Sequence, residues 1–217
     1  MATLTTVSAQ ALLLDLDGTL ADSTDSVDRA WTRMARLLGK DPAQVVGRFH
    51  GMTGSQTLLM VEPSLTPQQV VELNDTLIDL EVADSAGVTA VPGALQALAA
   101  VPGDRWAIVT SCPARLAWAR IEAAGLPRPT TMVTADDVRH SKPHPEPYLL
   151  GAHRLGFDPG DCLAVEDAPA GVASARAAGC RVLALRTSHH GSFEVDSVAD
   201  LSGVTVEPLQ GRLRVRY

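Results

Sequence analysis

Asp15 and Asp17 stand one residue apart at the end of the apolar run Ala11-Leu12-Leu13-Leu14, and Gly18-Thr19 follows at once. Two carboxylates at the end of a buried strand carry a desolvation cost, because an ionised acid beside apolar surface is disfavoured unless a cation or proton compensates it. Mg²⁺ is the compensating group that suits such a pair, and the chemistry it points to is phosphoryl transfer. The same residues also read as a plain strand-to-turn junction, with Asp capping the turn and Gly supplying positive φ. Other segments decide between the two.

In Trp106-Ala107-Ile108-Val109-Thr110-Ser111-Cys112-Pro113 a strand stops at two hydroxyls, with Pro where a helix would begin. Hydroxyls and free amides at such a point cradle phosphate oxygens, although Ser111 also reads as an ordinary helix cap and Cys112 as a small structural thiol. Ser141-Lys142-Pro143-His144-Pro145-Glu146 places one lysine between a turn and a proline-rich helix entrance, a point charge suited to a phosphate. His140 and His144 read as loop residues without a partner at metal-ligand spacing. Leu163-Ala164-Val165 then ends in a second acid pair, Glu166-Asp167, ahead of Ala168-Pro169-Ala170-Gly171. If Asp15, Asp17, Glu166 and Asp167 gather, each like-charge pair costs on the order of 4 kcal/mol at an effective dielectric near 20, which a divalent cation and a lysine would offset. A donor set of oxygens alone selects a hard ion, and Mg²⁺ suits a site completed by water and phosphate better than Ca²⁺. There is no Walker A loop or G-x-G-x-x-G fingerprint, so a nucleotide is not the implied cofactor.

These segments need a frame that brings them together. Short apolar runs, at residues 11–15, 106–110, 131–133, 162–165 and 181–185, alternate with helical periodicity, the signature of a parallel α/β sheet. Ligands of such sheets bind at the carboxyl ends of the strands, where Asp15, Thr110 and Glu166 would converge. The expected fold is α/β, a Rossmann-like doubly wound parallel sheet core with an inserted all-helical cap. From residue 21 to 87 strand patterning vanishes and helices are expected over 26–38, 55–61 and 67–82, so 1–20 and 88–217 form the core and 21–87 the cap. Thr66-Pro67-Gln68-Gln69 and Asp41-Pro42 read as capped helix starts, and residues 204–217 as a hairpin about Gln210-Gly211 that closes a sheet edge, with Arg212, Arg214 and Arg216 on its wet face.

The 217 residues are long enough for a real core, and 46% hydrophobic with 4% aromatic content suits helices packed on a sheet. A net charge of −7 without a basic cluster argues against a nucleic-acid or anionic-membrane partner. Cys112, Cys162 and Cys180, with no C-x-x-C spacing, argue against a disulfide framework or zinc knuckle and for a reducing cytoplasm. With no basic n-region before the first apolar run and no 18-residue apolar stretch, neither a signal peptide nor a bilayer-spanning helix is expected, and a monomer or homodimer is.

With DLDGT at 15–19 (Asp15 to Thr19, after Leu14), VTS at Val109 to Ser111, SKP at Ser141 to Pro143 and VEDAPAG at Val165 to Gly171, the chain resembles the haloacid dehalogenase superfamily of phosphatases from about residue 11 to 186. The runs VTADDVRHSKPHPEPYL and VEDAPAGVASARAAGC look like its glycerol-phosphate and deoxyglucose-phosphate phosphatase branch, which carries a helical cap after the first motif. The resemblance implies that Asp15 is the nucleophile taking the phosphoryl group and Asp17 the acid and base for leaving alcohol and attacking water. It implies Mg²⁺ on the Asp15 carboxylate, the Asp17 backbone carbonyl and Glu166/Asp167, with Thr110, Ser111 and Lys142 holding phosphoryl oxygens. The substrate implied is a small phosphorylated sugar or polyol, read by cap residues for which Arg48, His50 and Thr53 are the candidates. A phosphosugar mutase of the β-phosphoglucomutase type is the alternative, but such mutases place a cap histidine where this chain has Val27 and a cap arginine near Thr53-Gly54. A non-catalytic phosphate-binding protein of the same fold is a third reading.

Overall fold

Parallel strands need both faces covered, and the apolar runs here are continuous rather than alternating. The computed structural model describes residues 4–47, 52–189 and 191–217. Strands β1 (Thr6–Ala9), β2 (Ala11–Leu14) and the short β3 (Ala21–Asp22) precede helices α1 (Thr24–Leu37), α2 (Gly54–Val61) and α3 (Pro67–Ala83). Then come β4 (Thr89–Ala90), α4 (Ala94–Ala99), β5 (Trp106–Val109), α5 (Ala114–Ala123), β6 (Met132–Val133) and α6 (Glu146–Leu155). The chain finishes with β7 (Cys162–Glu166), α7 (Pro169–Ala177), β8 (Arg181–Leu185), β9 (Asp196–Val198), β10 (Thr205–Leu209) and β11 (Arg212–Arg216).

Six strands form one parallel sheet in the order β6-β5-β2-β7-β8-β9. The strand earliest in the chain, β2, lies inside the sheet, and the winding reverses there, which opens a crevice at its carboxyl end. Every residue of β2, β5 and β7 is buried. Successive side chains go to opposite faces: Leu12, Leu14, Ile108, Leu163 and Val165 enter one apolar cluster, and Leu13, Ala107, Val109 and Ala164 the other.

Between β3 and β4 the described residues of the insert form helices and turns without a strand and have their own apolar cluster, built on Trp31, Met34, Leu58 and Leu77. Its helices start where local chemistry dictates. Thr53 with Gln56 and Thr66 with Gln69 form reciprocal capping boxes, the second with Pro67 in the first turn, and Asp41 accepts from the Ala43 amide at 3.0 Å to open a 3₁₀ turn over Pro42–Gln44. The insert leaves and rejoins the sheet domain through the β3–β4 pair, Ala21 opposite Ala90 and Asp22 opposite Thr89.

The C-terminal hairpin is present, turned by Gln210 (φ 50°) and Gly211 (φ 77°), both in the left-handed region that a two-residue hairpin loop requires. Leu213 and Val215 face inward, while Arg212, Arg214 and Arg216 face outward toward Asp161 and Glu207. It does not close the edge of the main sheet, whose outer strands are β6 and β9. Instead β11 pairs antiparallel with both β1 and β10 in a separate three-stranded sheet. The reason is β1, separated from β2 by Gln10 alone, which offers β11 a partner before the chain enters the main sheet. Among the described residues no helix is long and apolar enough to cross a membrane.

Candidate active site

Asp15 follows β2 directly, Thr110 follows β5 and Glu166 ends β7, so three neighbouring strands deliver them to one edge of the sheet. The Lys142 ammonium joins them: Nζ lies 2.6 Å from Asp15 Oδ1, 2.5 Å from Glu166 Oε1 and 2.9 Å from the Val109 carbonyl. All four side chains that form this cluster, Asp15, Lys142, Glu166 and Asp167, are buried. Glycine is required on both sides of it. At Gly18 (φ +78°) a Cβ would enter the Asp167 carboxylate, and at Gly171 a Cβ would overlap the Glu166 carboxylate.

Glu166 accepts from other donors besides Lys142. Oε1 also accepts from the Tyr148 hydroxyl at 2.6 Å, and Oε2 from the Asp167 and Ala168 amides at 3.2 and 3.4 Å. Asp167 accepts from the Ser188 hydroxyl and, at 3.4 Å, from Thr19. Burial pushes Asp15 well above the ordinary carboxylate range, against the pull of Lys142. Burial and the neighbouring Glu166 push Asp167 up to about 7. Burial also works against the Lys142 charge, but Asp15 and Glu166 more than offset it and hold the ammonium above the usual lysine range.

Asp17 departs from the expected gathering of four acids. Its carboxylate accepts from Ser23 Oγ at 2.7 Å and from the Cys112 thiol at 2.9 Å, and it pairs with Arg120 Nη1 at 2.5 Å. Arg120 in turn pairs through Nη2 with Glu81 of the insert, and its Nη1 reaches Cys112 Sγ at 2.9 Å. The cause is a second buried cation: Arg120 draws the Asp17 carboxylate toward α5, so the like-charge cost is shared between a lysine and an arginine. Burial pushes Glu81 up to about 7 despite Arg120, and burial likewise raises the Cys112 thiol, which stays a protonated donor.

Thr110 is buried, with Oγ1 accepting from the Cys112 amide at 3.1 Å, and Ser111 lines the same cavity. Ser111 is not a helix cap: α5 starts three residues later, and the Ala114 amide is taken by Asp136 Oδ2 at 2.8 Å. The cavity is about 500 Å³ and is walled on one side by Asp15, Thr110 and Lys142 and on the other by insert residues including Val27, Thr53 and Asn74. Thr53 caps α2 and borders the cavity, whereas Arg48 and His50 lie outside the described residues. His140 and His144 do have an acid partner: their rings stack at 4.5 Å, and Glu146 Oε2 lies 2.9 Å from His140 Nδ1 and 3.9 Å from His144 Nδ1. Because Glu146 also accepts from the Arg139 and His140 amides, the group fastens the loop that carries Lys142 to the start of α6.

Arg120, Glu81, Tyr148 and Ser188 escaped the sequence reading. For two of them a signal existed: Arg120 falls at helical spacing from Leu116 and Ala117, and Glu81 from Leu77 and Ile78, so each charge sits on an apolar face. Tyr148 and Ser188 carry no such mark.

Asp15, Glu166 and Asp167 bring carboxylate oxygens within 4.8 Å of one another, three buried acids facing one ammonium with no His or Cys among them. That donor set fits a hard divalent cation. It has a consequence for stability. An acid moved from its ordinary 3.8 to about 7 keeps, when folded, a proton that the unfolded chain releases, so its contribution falls as pH rises through that window. In EDTA the Asp167→Asn variant should therefore gain melting temperature relative to the parent between pH 5 and pH 7.5, and Mg²⁺ should reverse the gain. Parallel melting curves across pH would count against this origin of the shift.

A family model described as haloacid dehalogenase-like hydrolase matches residues 9–179. Hexitol phosphatase A of Escherichia coli strain K12 is 43% identical over 178 residues, 81% of this chain and 82% of its own. Glycerol-1-phosphate phosphohydrolase 2 of Saccharomyces cerevisiae is 32% identical, covering 90% of this chain and 82% of its own. Among solved structures, a hydrolase from Pseudomonas syringae superposes with a TM-score of 0.78 at 25% identity, over 88% of this chain and 94% of that one.

Proposed function

The chain belongs to the haloacid dehalogenase-like hydrolase family, and from that premise we propose that it is a Mg²⁺-dependent phosphomonoesterase that hydrolyses small sugar or polyol phosphates through an aspartyl phosphate on Asp15. The observation that carries this reading is Lys142, 2.6 Å from Asp15 and 2.5 Å from Glu166, buried at one wall of a cavity of about 500 Å³. A volume of that order suits a phosphorylated small molecule.

Asp15 Oδ attacks phosphorus and forms a new O–P bond as the bond to the alcohol oxygen breaks. The electron pair of that bond goes to the leaving oxygen, which takes a proton from Asp17 and departs as the alcohol. Asp17, now a carboxylate, takes a proton from a water molecule, whose oxygen attacks the aspartyl phosphate and restores Asp15 with inorganic phosphate as product. Lys142 neutralises charge on the phosphoryl oxygens and holds Asp15 in line, while the Thr110 hydroxyl and the Ser111 amide and hydroxyl supply donors to the same oxygens. The Asp15 and Asp167 carboxylates, the Glu166 carboxylate and the Asp17 backbone carbonyl would hold Mg²⁺. When bound, the ion supplies charge neutralisation for the three acids and for the phosphoryl group.

Residues 21–87 act in this reading as a cap over a core of 1–20 and 88–217, and substrate hydroxyls are read from the cap side, by Thr53 and by Arg48 and His50. Two relatives named for hexitol and glycerol phosphates favour a polyol phosphate. Val27 favours hydrolysis over a mutase, since an apolar side chain at the cavity wall cannot pass a proton to a sugar hydroxyl. In this reading the enzyme is cytoplasmic, which suits three free cysteines without disulfide spacing, and a net charge of −7 speaks against a nucleic-acid or membrane partner. The test is release of inorganic phosphate from hexitol, glycerol, hexose and deoxyhexose phosphates with Mg²⁺ or EDTA. Magnesium-dependent release, strongest on polyol phosphates, is expected. Conversion of β-glucose-1-phosphate to the 6-phosphate with little free phosphate would replace this reading with the mutase, and phosphate bound without turnover would replace it with a binding protein.

A further inference from the structure

The acid proposed for the leaving group is held by a residue that belongs to neither the phosphate cradle nor the metal set. Arg120 lies on α5 and is only 3% exposed, an expensive place for a guanidinium unless its charge is paired. It is paired with two carboxylates, Asp17 at 2.5 Å and Glu81, and reaches Cys112 Sγ at 2.9 Å. Glu81 is itself buried, on α3 of the insert, and α3 packs on α5. The other Asp17 oxygen accepts from Ser23, in the strand-to-helix junction where the chain enters the insert. Both oxygens of Asp17 are thus held by groups tied to the insert, while Asp15, two residues earlier, is held by Lys142 from the core.

We infer that Arg120 is a positioning residue: anchored to the insert by Glu81, it fixes where the Asp17 carboxyl stands, so that proton delivery to the leaving oxygen depends on how the insert is docked on α5. The inference rests on the phosphatase reading for the role of Asp17, but not on the identity of the substrate. A planar fork suits the task, since one guanidinium presents fixed donors to two carboxylates at once, which an ammonium cannot. Arg120 makes no contact with Asp15, Lys142 or Asp167 in the hydrogen-bond and ion-pair network of the described residues, so its removal leaves the nucleophile and its lysine in place.

The leaving group provides the test. An alkoxide needs a proton as it departs, whereas 2,4-dinitrophenolate leaves without one. Hydrolysis of the aspartyl phosphate is common to both esters, so the comparison is read on kcat/KM, which covers only the steps up to departure of the leaving group. Arg120→Met should lower kcat/KM for glycerol 1-phosphate by roughly tenfold to a hundredfold more than for 2,4-dinitrophenyl phosphate, a fraction of the 10²–10⁴ that general acid catalysis supplies. Arg120→Lys should recover part of the ratio. Because Arg120→Met leaves Glu81 buried without its cation, the double variant Arg120→Met/Glu81→Met, which removes both charges, serves where the single one folds poorly and should show the same selective loss. Asp17→Asn calibrates the scale. Equal losses of kcat/KM for the two esters in a folded Arg120 variant overturn the inference, and would make Arg120 a contact for the phosphoryl group that both esters share. A parent enzyme that releases phosphate from neither ester, or an Asp17→Asn variant that lowers kcat/KM equally for both, overturns the phosphatase reading or the acid role of Asp17 instead, and each is visible without any Arg120 variant.

Discussion

Asp15→Asn is expected to abolish phosphate release, by roughly 10⁴-fold or more, while the protein melts at a higher temperature than its parent in EDTA at pH 7.5. The amide is nearly isosteric with the carboxylate but is no nucleophile, so the covalent step has nothing to start it. The opposite sign of the stability effect follows from the balance at the site. Asp15 lies beside Lys142 at 2.6 Å, yet burial outweighs that attraction and lifts it well above the ordinary carboxylate range. Its charged form is therefore a net cost to the folded state at neutral pH, and removing the charge relieves it. Mg²⁺ should narrow the difference, because a cation stabilises the parent more than the variant. Loss of activity with a lower melting point would signal a damaged fold, and turnover above about one percent of the parent would rule out Asp15 as nucleophile.

That much could be foreseen because the residues involved sit at the ends of strands whose burial is written into consecutive letters. Ala11–Leu14, Trp106–Val109 and Cys162–Glu166 are apolar on both faces, so each run announces a central parallel strand, and whatever polar residue follows it falls at the carboxyl edge. The capping boxes at Thr53 and Thr66 are equally local. Arg120, Glu81 and Tyr148 were harder to read for the opposite reason. Arg120 and Glu81 show only a charge at apolar helical spacing and Tyr148 not even that, while the partner that gives each its place comes from a distant part of the chain. The side-chain direction of Asp17 was illegible as well: four nearby acids were expected to gather, and only the unforeseen guanidinium explains why one turns aside. The C-terminal hairpin shows the same limit, since its turn is set by Gln210-Gly211 while its sheet is set by β1 some two hundred residues earlier.

Lys142→Met should be the most destabilising single substitution in the site. The thioether matches the lysine stem in length, so packing is largely kept and what is lost is the charge. Asp15, Glu166 and Asp167 would then be buried acids without their cation, and stripping the partner from a buried ion pair costs about 3–5 kcal/mol. In EDTA at pH 7.5 urea denaturation should register a loss of that order. At pH 5 the loss should shrink, because Asp15 and Asp167, already displaced upward by burial, take up protons and no longer need a counter-charge. Mg²⁺ should restore part of the stability but little of the activity, since the ammonium also holds Asp15 and the phosphoryl oxygens in line. The double variant Lys142→Met/Asp15→Asn separates charge from packing: one of the orphaned carboxylates is gone, so the pair should be less destabilised than the sum of the single variants predicts. A loss that is the same at both pH values, and additive in the double variant, would mean that Lys142 supports the fold by its packing and that the three acids do not need it as their cation.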